Sequence, residues 1–210
     1  RQEHWAWQPL RRAAVPQVQD AAWPRDDVDR FLLADLEKKN LKPVADADPL
    51  LLLRRVTFDL TGLPPSPEDM DQFMADCQVS RAAGPGQAAP VQSALEKVVD
   101  RLLASPAFGE RWGRHWLDVA RYGESTGSAR NLPYPHAWRY RDYVIAAFNK
   151  DKSFDQFIRE QIAGDLLPNP SLEQRVATGF LRNGIKNREA GVQNEEKRFE
   201  ETIDRMTTIG

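Results

Sequence analysis

The segment from Arg111 to Tyr122 carries four side chains that can exchange protons or hold an ion. Arg111, His115, Asp118 and Tyr122 follow one another at intervals of four, three and four residues. In a helix such neighbours lie on one face, so the sequence predicts one polar network. An aspartate beside a histidine fixes the tautomer and orientation of the imidazole, which suits proton transfer or metal ligation. The alternative is a structural network that joins this helix to its neighbours.

Arg141, on the next predicted helix, is expected to join this network. The apolar stripe of that helix consists of Trp138, Val144, Ile145 and Phe148. Arg141 falls inside the stripe, and a buried guanidinium is costly unless a carboxylate pairs with it. Asp118 and Glu124 are the candidate partners across the contact between the two helices.

His136 follows Pro135 in a loop context, where a lone histidine is more often a surface residue than a functional one. The chain contains 3 histidines and 1 cysteine. It contains no motif typical of a zinc protease, a serine hydrolase, a phosphate loop or haem attachment. The sequence therefore predicts no dedicated metal site, and it leaves open whether the protein is an enzyme.

Helix-start signals determine where these residues are placed. A capping residue, often followed by proline at the first helical position, occurs at Asp26, Asp48, Ser66, Ser105, Ser153 and Ser171. Together with the apolar periodicity, these signals predict helices at about 27–40, 49–61, 67–77, 91–104, 106–123, 136–149, 154–164, 172–183 and 195–209. No run of alternating residues indicates a strand. The predicted fold class is all-α, an irregular multi-helix bundle of about eight or nine helices with an extended N-terminal arm.

The arm comprises residues 1–24, which contain prolines at positions 9, 16 and 24 and no sustained period. It is expected to dock across the body through Trp5, Trp7, Leu10 and Trp23. Residues 25–210 are predicted to form a single helical domain. Within that domain, residues 79–90 contain both glycine and proline and few core-forming side chains, so a flexible insertion is predicted there.

Composition argues against two classes of partner. The 29 basic and 31 acidic residues are mixed along the chain and leave a formal net charge of -2, which argues against a nucleic-acid surface. No apolar run approaches the roughly 20 residues that span a bilayer, so no membrane span is expected. Cys77 is the single cysteine, which excludes an internal disulfide. The first residue is arginine, so the chain is expected to be a processed product or an excised piece.

Six long sequence blocks resemble a known family. These blocks are VDRFLLADLEKKNLKP, LLLRRVTFDLTGLPPSPEDMDQF, VVDRLLASPAFGERWGRHWLDVARY, YPHAWRYRDYVIAAFNKDKSFDQFIREQIAGDLLP, ATGFLRN and NREAG. In this order they look like the planctomycete cytochrome-associated domain family of unknown function. With the HWAWQPLRR arm, the resemblance covers roughly residues 1–210. In the family pattern a block like DRMTTIG is followed by a haem-attachment motif of the Cys-x-x-Cys-His type, which this sequence does not contain.

The resemblance implies the helical portion of a secreted c-type cytochrome-like protein that supports haem-based electron transfer or redox chemistry. Haem c would be attached outside this chain segment, by the remainder of the same polypeptide or by a companion chain that carries the motif. Because such haem is attached outside the cytoplasm, the implied location is extracytoplasmic, in the periplasm or at the cell surface.

An axial ligand for that haem would be a histidine or a methionine, and the candidates are His115, His136 and Met206. His115 ranks first because Asp118 is its neighbour. Together with Arg141, these two residues would line the haem pocket or contact the propionates.

Two other functions remain open. One is a structural or binding module of an envelope or surface assembly, in which the polar residues hold two helices together. The other is a carbohydrate-acting hydrolase that uses Asp118, Glu124 or Asp165, which the carbohydrate-degrading genes that accompany the family suggest.

Overall fold

The computed structural model describes residues 4, 7–9, 11–82, 90–126, 131–184 and 194–209. Within these ranges the chain forms nine α-helices and no named strand, so the predicted all-α class is confirmed. The helices are α1 (Asp27–Lys38), α2 (Pro49–Thr61), α3 (Pro67–Ala82), α4 (Pro90–Leu103), α5 (Pro106–Val119), α6 (Trp138–Asn149), α7 (Phe154–Ala163), α8 (Leu172–Ala177) and α9 (Asn194–Ile209). No helix in the described ranges is both long enough and apolar enough to cross a membrane.

Local capping accounts for where several of these helices begin. The side chains of Asp26, Asp48 and Ser105 each accept a hydrogen bond from a backbone N–H in the first turn of α1, α2 and α5. Ser171 forms a capping box with Gln174 at the start of α8. These bonds join residues at most three positions apart, so the sequence alone reveals them.

The end of α5 differs from the prediction. The helix ends at Val119 and not near Gly123, because Arg121 adopts a left-handed conformation with φ of 57°. The N–H of Tyr122 then donates to the carbonyl of Leu117 at 2.9 Å, which closes the turn. Glycine is the usual residue at such a position, so an arginine there gives no stop signal in the sequence.

Two other predicted helices also have different bounds. α3 continues to Ala82, beyond the predicted end near residue 77. The predicted flexible insertion at 79–90 falls partly in this helix, and its residues 83–89 lie outside the described residues. The helix predicted over 172–183 is α8 followed by a 3₁₀ helix, Thr178–Arg182.

Contacts divide the chain into two compact units, residues 1–47 and residues 48–210. In the first unit, the segment before α1 is hydrogen-bonded to that helix. The backbone N–H of Gln19 donates to the Glu37 carboxylate at 2.9 and 3.1 Å, and the N–H of Asp20 donates to it at 3.2 Å. This segment and α1 therefore hold each other in place.

Of the four arm residues expected to dock, Trp7 and Trp23 are exposed. Trp5 and Leu10 lie outside the described residues. The docking of the arm and the predicted domain boundary after residue 24 stay predictions.

The second unit contains two apolar cores. The core formed by α2, α3 and α4 consists of Leu53, Phe73, Cys77, Ala94, Val98 and Leu102. The core formed by α5 to α8 and the following 3₁₀ helix consists of Leu117, Ala120, Tyr140, Tyr143, Val144, Ala147, Phe157, Ala177 and Phe180. This second core holds together the ends of α5, α6 and α8, and the loops at those ends line the candidate site.

Candidate functional site

The predicted polar network is distributed over three places in the structure. His115 and Asp118 are exposed on α5. The Asp118 carboxylate lies 4.0 Å from the Arg114 guanidinium, and the His115 ring packs edge-on against Trp112 with 5.5 Å between the ring centroids. Within the described residues, neither His115 nor Asp118 forms a hydrogen bond or an ion pair with Arg141.

Arg141 does find an acidic partner, as predicted, and that partner is Glu124. Its Nη1 lies 2.5 Å from Glu124 Oε1, and its Nε lies 3.2 Å from Asp142 Oδ1. The hydroxyl of Tyr122 donates to the same Glu124 oxygen at 3.0 Å. Burial raises the pKa of Tyr122 to about 12, and the hydrogen bond to Glu124 adds to the effect. Asp118, the other candidate partner, lies beside Arg114 instead, since α5 ends before Arg121 and Glu124 follows the turn.

Arg111 occupies a third place, in a groove beside α2. Its aliphatic stem lies against Gly62, the residue that ends that helix. Its Nε is buried and has no hydrogen-bond partner among the described residues. Arg111 thus belongs to a different environment from the other members of the predicted network.

A cleft of about 640 Å³ opens where α5 ends, α6 begins and the 3₁₀ helix follows α8. This volume falls in the range of small-molecule sites. Four arginines line it: Arg121, Arg139, Arg175 and Arg182. No carboxylate is among the described residues that line it. We call it the arginine cleft.

Tyr140 forms a fixed wall of the arginine cleft. Its hydroxyl donates to Gln161 Oε1 at 2.6 Å and accepts from Trp116 Nε1 at 3.1 Å. Gly179 packs directly against the ring, because a Cβ at that position would lie only 3.0 Å from the Tyr140 Cβ. Burial raises the pKa of Tyr140 above its ordinary value of 10.0. This wall therefore stays neutral, and the charge of the cleft comes from its arginines.

Arg121 enters the arginine cleft from a strained backbone position. A residue other than glycine with φ of 57° costs about 1–3 kcal/mol. The Arg121 guanidinium also pairs with Asp204 on α9, with 3.0 Å between Nη1 and Oδ1. Strained residues of this kind concentrate at functional sites.

Arg175, on α8, and Arg182, in the following 3₁₀ helix, line the same cleft. Among the described residues, no carboxylate forms an ion pair with either of them. Asn183 follows directly, and its Nδ2 is buried without a hydrogen-bond partner in the described part of the chain. A buried donor without an acceptor costs about 1–3 kcal/mol, so a ligand that supplies acceptors fits this lining.

Two residues predicted from the sequence, Tyr122 and His136, line the arginine cleft. The arginines and Asn183 were not predicted, since they come from separate segments of the chain. The spacing of Arg175 and Arg182 was the available signal, because seven residues correspond to about two helical turns. That signal is weak, because a helix with two exposed arginines is common on a protein surface.

The remaining predicted residues lie elsewhere. His115 is on α5, Met206 is exposed on α9, and Asp165 is exposed in the 3₁₀ turn Gly164–Leu166. In the described residues, no group of three or more histidine, cysteine, aspartate or glutamate side chains could hold a metal ion.

Together, the fold and the site define an all-helical protein with a cleft lined by arginines. Its residues 27–210 match the model of the family PSCyt2, described as a protein of unknown function (DUF1549). The chain belongs to this family, which confirms the predicted membership in a family of unknown function. No curated protein and no solved structure matches the chain.

Proposed function

We propose that this domain is a binding module that holds an anionic ligand in the arginine cleft. The observation that carries the proposal is the lining itself, with four arginines and no carboxylate among the described residues. Guanidinium groups recognise carboxylates and phosphates with two parallel hydrogen bonds. Uncharged side chains lie between the arginines, among them the buried Tyr140, and they lower the local dielectric and strengthen such pairs.

The proposal is tested by titrating the protein with citrate, a small tricarboxylate, in a calorimeter. Replacing Arg175 and Arg182 together with methionine is expected to weaken citrate binding by about tenfold or more, because each charged hydrogen bond contributes about 1.5–3 kcal/mol. Binding to the unchanged protein is expected to weaken as sodium chloride is added.

The matched control is Arg159→Met, on the exposed side of α7. Arg159 pairs with Asp155, at 3.9 Å, and it is not among the described residues that line the cleft. Its replacement removes one positive charge from the surface and should leave citrate binding unchanged. Equal weakening in the control and in the double variant would mean that net charge is responsible, and the proposal would fail.

A haem carried by a c-type cytochrome segment is the particular ligand that we propose second. The observation that favours it is the position of His136, which lines the same cleft as the four arginines. An imidazole can ligate the iron, and guanidiniums can pair with the propionates. When bound, the haem would supply one-electron transfer. The haem would be attached by the remainder of the polypeptide or by a companion chain, outside the cytoplasm.

His136 is the leading candidate for the axial ligand of the haem iron. His115 and Met206 lie on α5 and α9 and do not line the cleft, so His136 replaces His115 as the leading candidate. The test uses the full polypeptide, produced with its haem-attachment machinery. His136→Ala should shift the Soret band and the reduction potential, and His115→Ala should leave both unchanged.

These outcomes separate the two proposals. If no Soret band forms, or if neither histidine variant alters it, the haem proposal fails, while the citrate titration decides independently on the anion site. A shift in His115→Ala alone would place the ligand on α5.

The carbohydrate-acting hydrolase and the structural module are the two other functions considered. A hydrolase acting on carbohydrate needs two carboxylates at a set separation, but Glu124 is held by Arg141, and Asp118 lies beside Arg114. The cleft gives this function no carboxylate among its described residues. A purely structural module is favoured by the buried Glu160, which bonds to Lys152 and to the Tyr143 hydroxyl, and such a module would bind no citrate.

A further inference from the structure

A second groove, of about 710 Å³, lies beside α2 and α5 and shares no lining residue with the arginine cleft. Three guanidiniums line it, from Arg54, Arg55 and Arg111. Asp59 is the single carboxylate among its described lining residues. The groove therefore carries an excess of positive charge.

Arg111 is the most constrained of the three arginines. It reaches the groove past Gly62, which ends α2 in a left-handed conformation with φ of 73°. A Cβ at that position would lie 3.1 Å from the Arg111 Cδ, so the glycine leaves room for the arginine stem. The Arg111 Nε is buried and has no hydrogen-bond partner among the described residues. In the described part of the chain no carboxylate forms an ion pair with Arg111, so an anionic ligand could accept from this buried Nε.

The adjoining part of the groove contains an aromatic ring and two aliphatic side chains. The Arg54 guanidinium lies over the Phe58 ring, 4.8 Å from its centroid. Leu51 and Val56 line the same surface. A planar group can stack on such an arginine and aromatic pair, since guanidinium is weakly hydrated and planar.

We infer that this groove binds a small ligand in which a single carboxylate or phosphate is attached to an aromatic ring. Arg55 and Arg111 hold the oxyanion, and the surface formed by Arg54 and Phe58 holds the ring. Asp59 repels a second anionic group on the ligand, which disfavours extended polyanions and separates this site from the arginine cleft.

The test uses phenyl phosphate, benzoate and inorganic phosphate as probes, with affinities measured by calorimetry on the full chain. Phenyl phosphate should bind about tenfold more tightly than inorganic phosphate, because only the former buries a ring. Benzoate should bind at the same site, so that phenyl phosphate displaces it. Equal affinities for phenyl phosphate and inorganic phosphate would overturn the role of the ring.

Two variants locate the site. Arg111→Met and Arg55→Met should each weaken phenyl phosphate binding by about tenfold, and Arg55→Met keeps the test decisive if Arg111→Met fails to fold. The matched control is Arg114→Met, on the same helix and paired with Asp118 at the surface, which should bind normally. The inference is wrong if Arg55→Met binds as the unchanged protein does, or if replacing Arg175 and Arg182 removes the binding.

Discussion

At the scale of single residues, Glu160 on α7 is a carboxylate that is only 1% exposed. It accepts hydrogen bonds from Lys152 at 2.5 Å, from the Tyr143 hydroxyl at 2.9 Å and from Gln156 at 2.9 Å. Gln174 donates to it at 3.3 Å. Burial alone would raise the pKa of Glu160, but these hydrogen bonds outweigh burial and hold the pKa at about 2. The group is therefore ionised at neutral pH, and its hydrogen bonds join α6, α7 and α8.

Replacing Glu160 with glutamine should destabilise the protein by about 3 kcal/mol, because Lys152 would lose the shorter of its two ion pairs among the described residues and keep only the one with Glu173. The free energy of unfolding is measured with urea at pH 7. Glu173→Gln is the control, since Glu173 pairs with Lys150 and Lys152 at 3.3 Å but is more exposed. The control should cost about 1 kcal/mol or less. Equal costs would show that Glu160 does not anchor the cluster.

Glu160 also makes the free energy of unfolding depend on pH, and the sign of this dependence can be predicted. The folded-state pKa of Glu160, about 2, is below its ordinary value of 4.5. Its ionisation therefore stabilises the fold above pH 4.5, and that contribution is lost as the pH falls from 4.5 toward 2. The difference in unfolding free energy between the unchanged protein and Glu160→Gln should shrink across this window. A difference that stays constant down to pH 2 would contradict the assignment.

At the scale of elements, the contact between α5 and α6 depends on a glycine. A Cβ at Gly109 would lie 2.5 Å from the Asn149 side chain and 2.5 Å from the Ile145 carbonyl oxygen. The Gly109 N–H also donates to Asn149 Oδ1 at 2.8 Å. One turn later, a Cβ at Gly113 would lie 3.3 Å from Ile145 Cγ1, which is less crowded. The two helices approach each other most closely at the start of α5.

Gly109→Ala should therefore destabilise the protein by about 1–3 kcal/mol, since backbone cannot move aside as a side chain can. Gly113→Ala serves as the comparison, because its neighbour is less crowded. Its steric cost should be offset by the higher helix propensity of alanine, which is about 0.5–1 kcal/mol more favourable than that of glycine. Thermal unfolding followed by circular dichroism measures both. A larger loss for Gly113→Ala than for Gly109→Ala would contradict this packing.

The elements also show why the site was only partly predictable. The partner of Arg141 depends on where α5 ends, and that end depends on Arg121 in a conformation that glycine usually adopts. Helix spacing places Asp118 beside His115, but it cannot decide which face of α5 meets α6. That face is decided by the fit of Gly109 and Gly113 against Ile145.

At the scale of the whole molecule, both proposed sites and both apolar cores lie in the second unit, residues 48–210. A unit with its own cores is expected to fold independently. A polypeptide of residues 48–210 should therefore unfold cooperatively and bind citrate as the full chain does. Circular dichroism and calorimetry measure these properties, with residues 27–210, the range of the family match, as the control.

A different result would show that the first unit, residues 1–47, contributes to folding. If residues 48–210 lack a cooperative transition while residues 27–210 retain one, the first unit is required for folding. That outcome would favour the predicted single domain from residue 25 onward over an independent second unit.

The sequence by itself determined the all-α class and most helix starts, since caps such as Asp48 and Ser105 act over a few residues. Only the tertiary structure decided which distant groups meet. Glu160 with Lys152, Arg141 with Glu124, and the four arginines of the cleft are brought together by the packing of α5 to α8. The signals that start a helix are local, so they can be recognised from residues that are adjacent in the sequence. A binding site depends on long-range packing, in which the shapes of several helices decide together which side chains share one cleft.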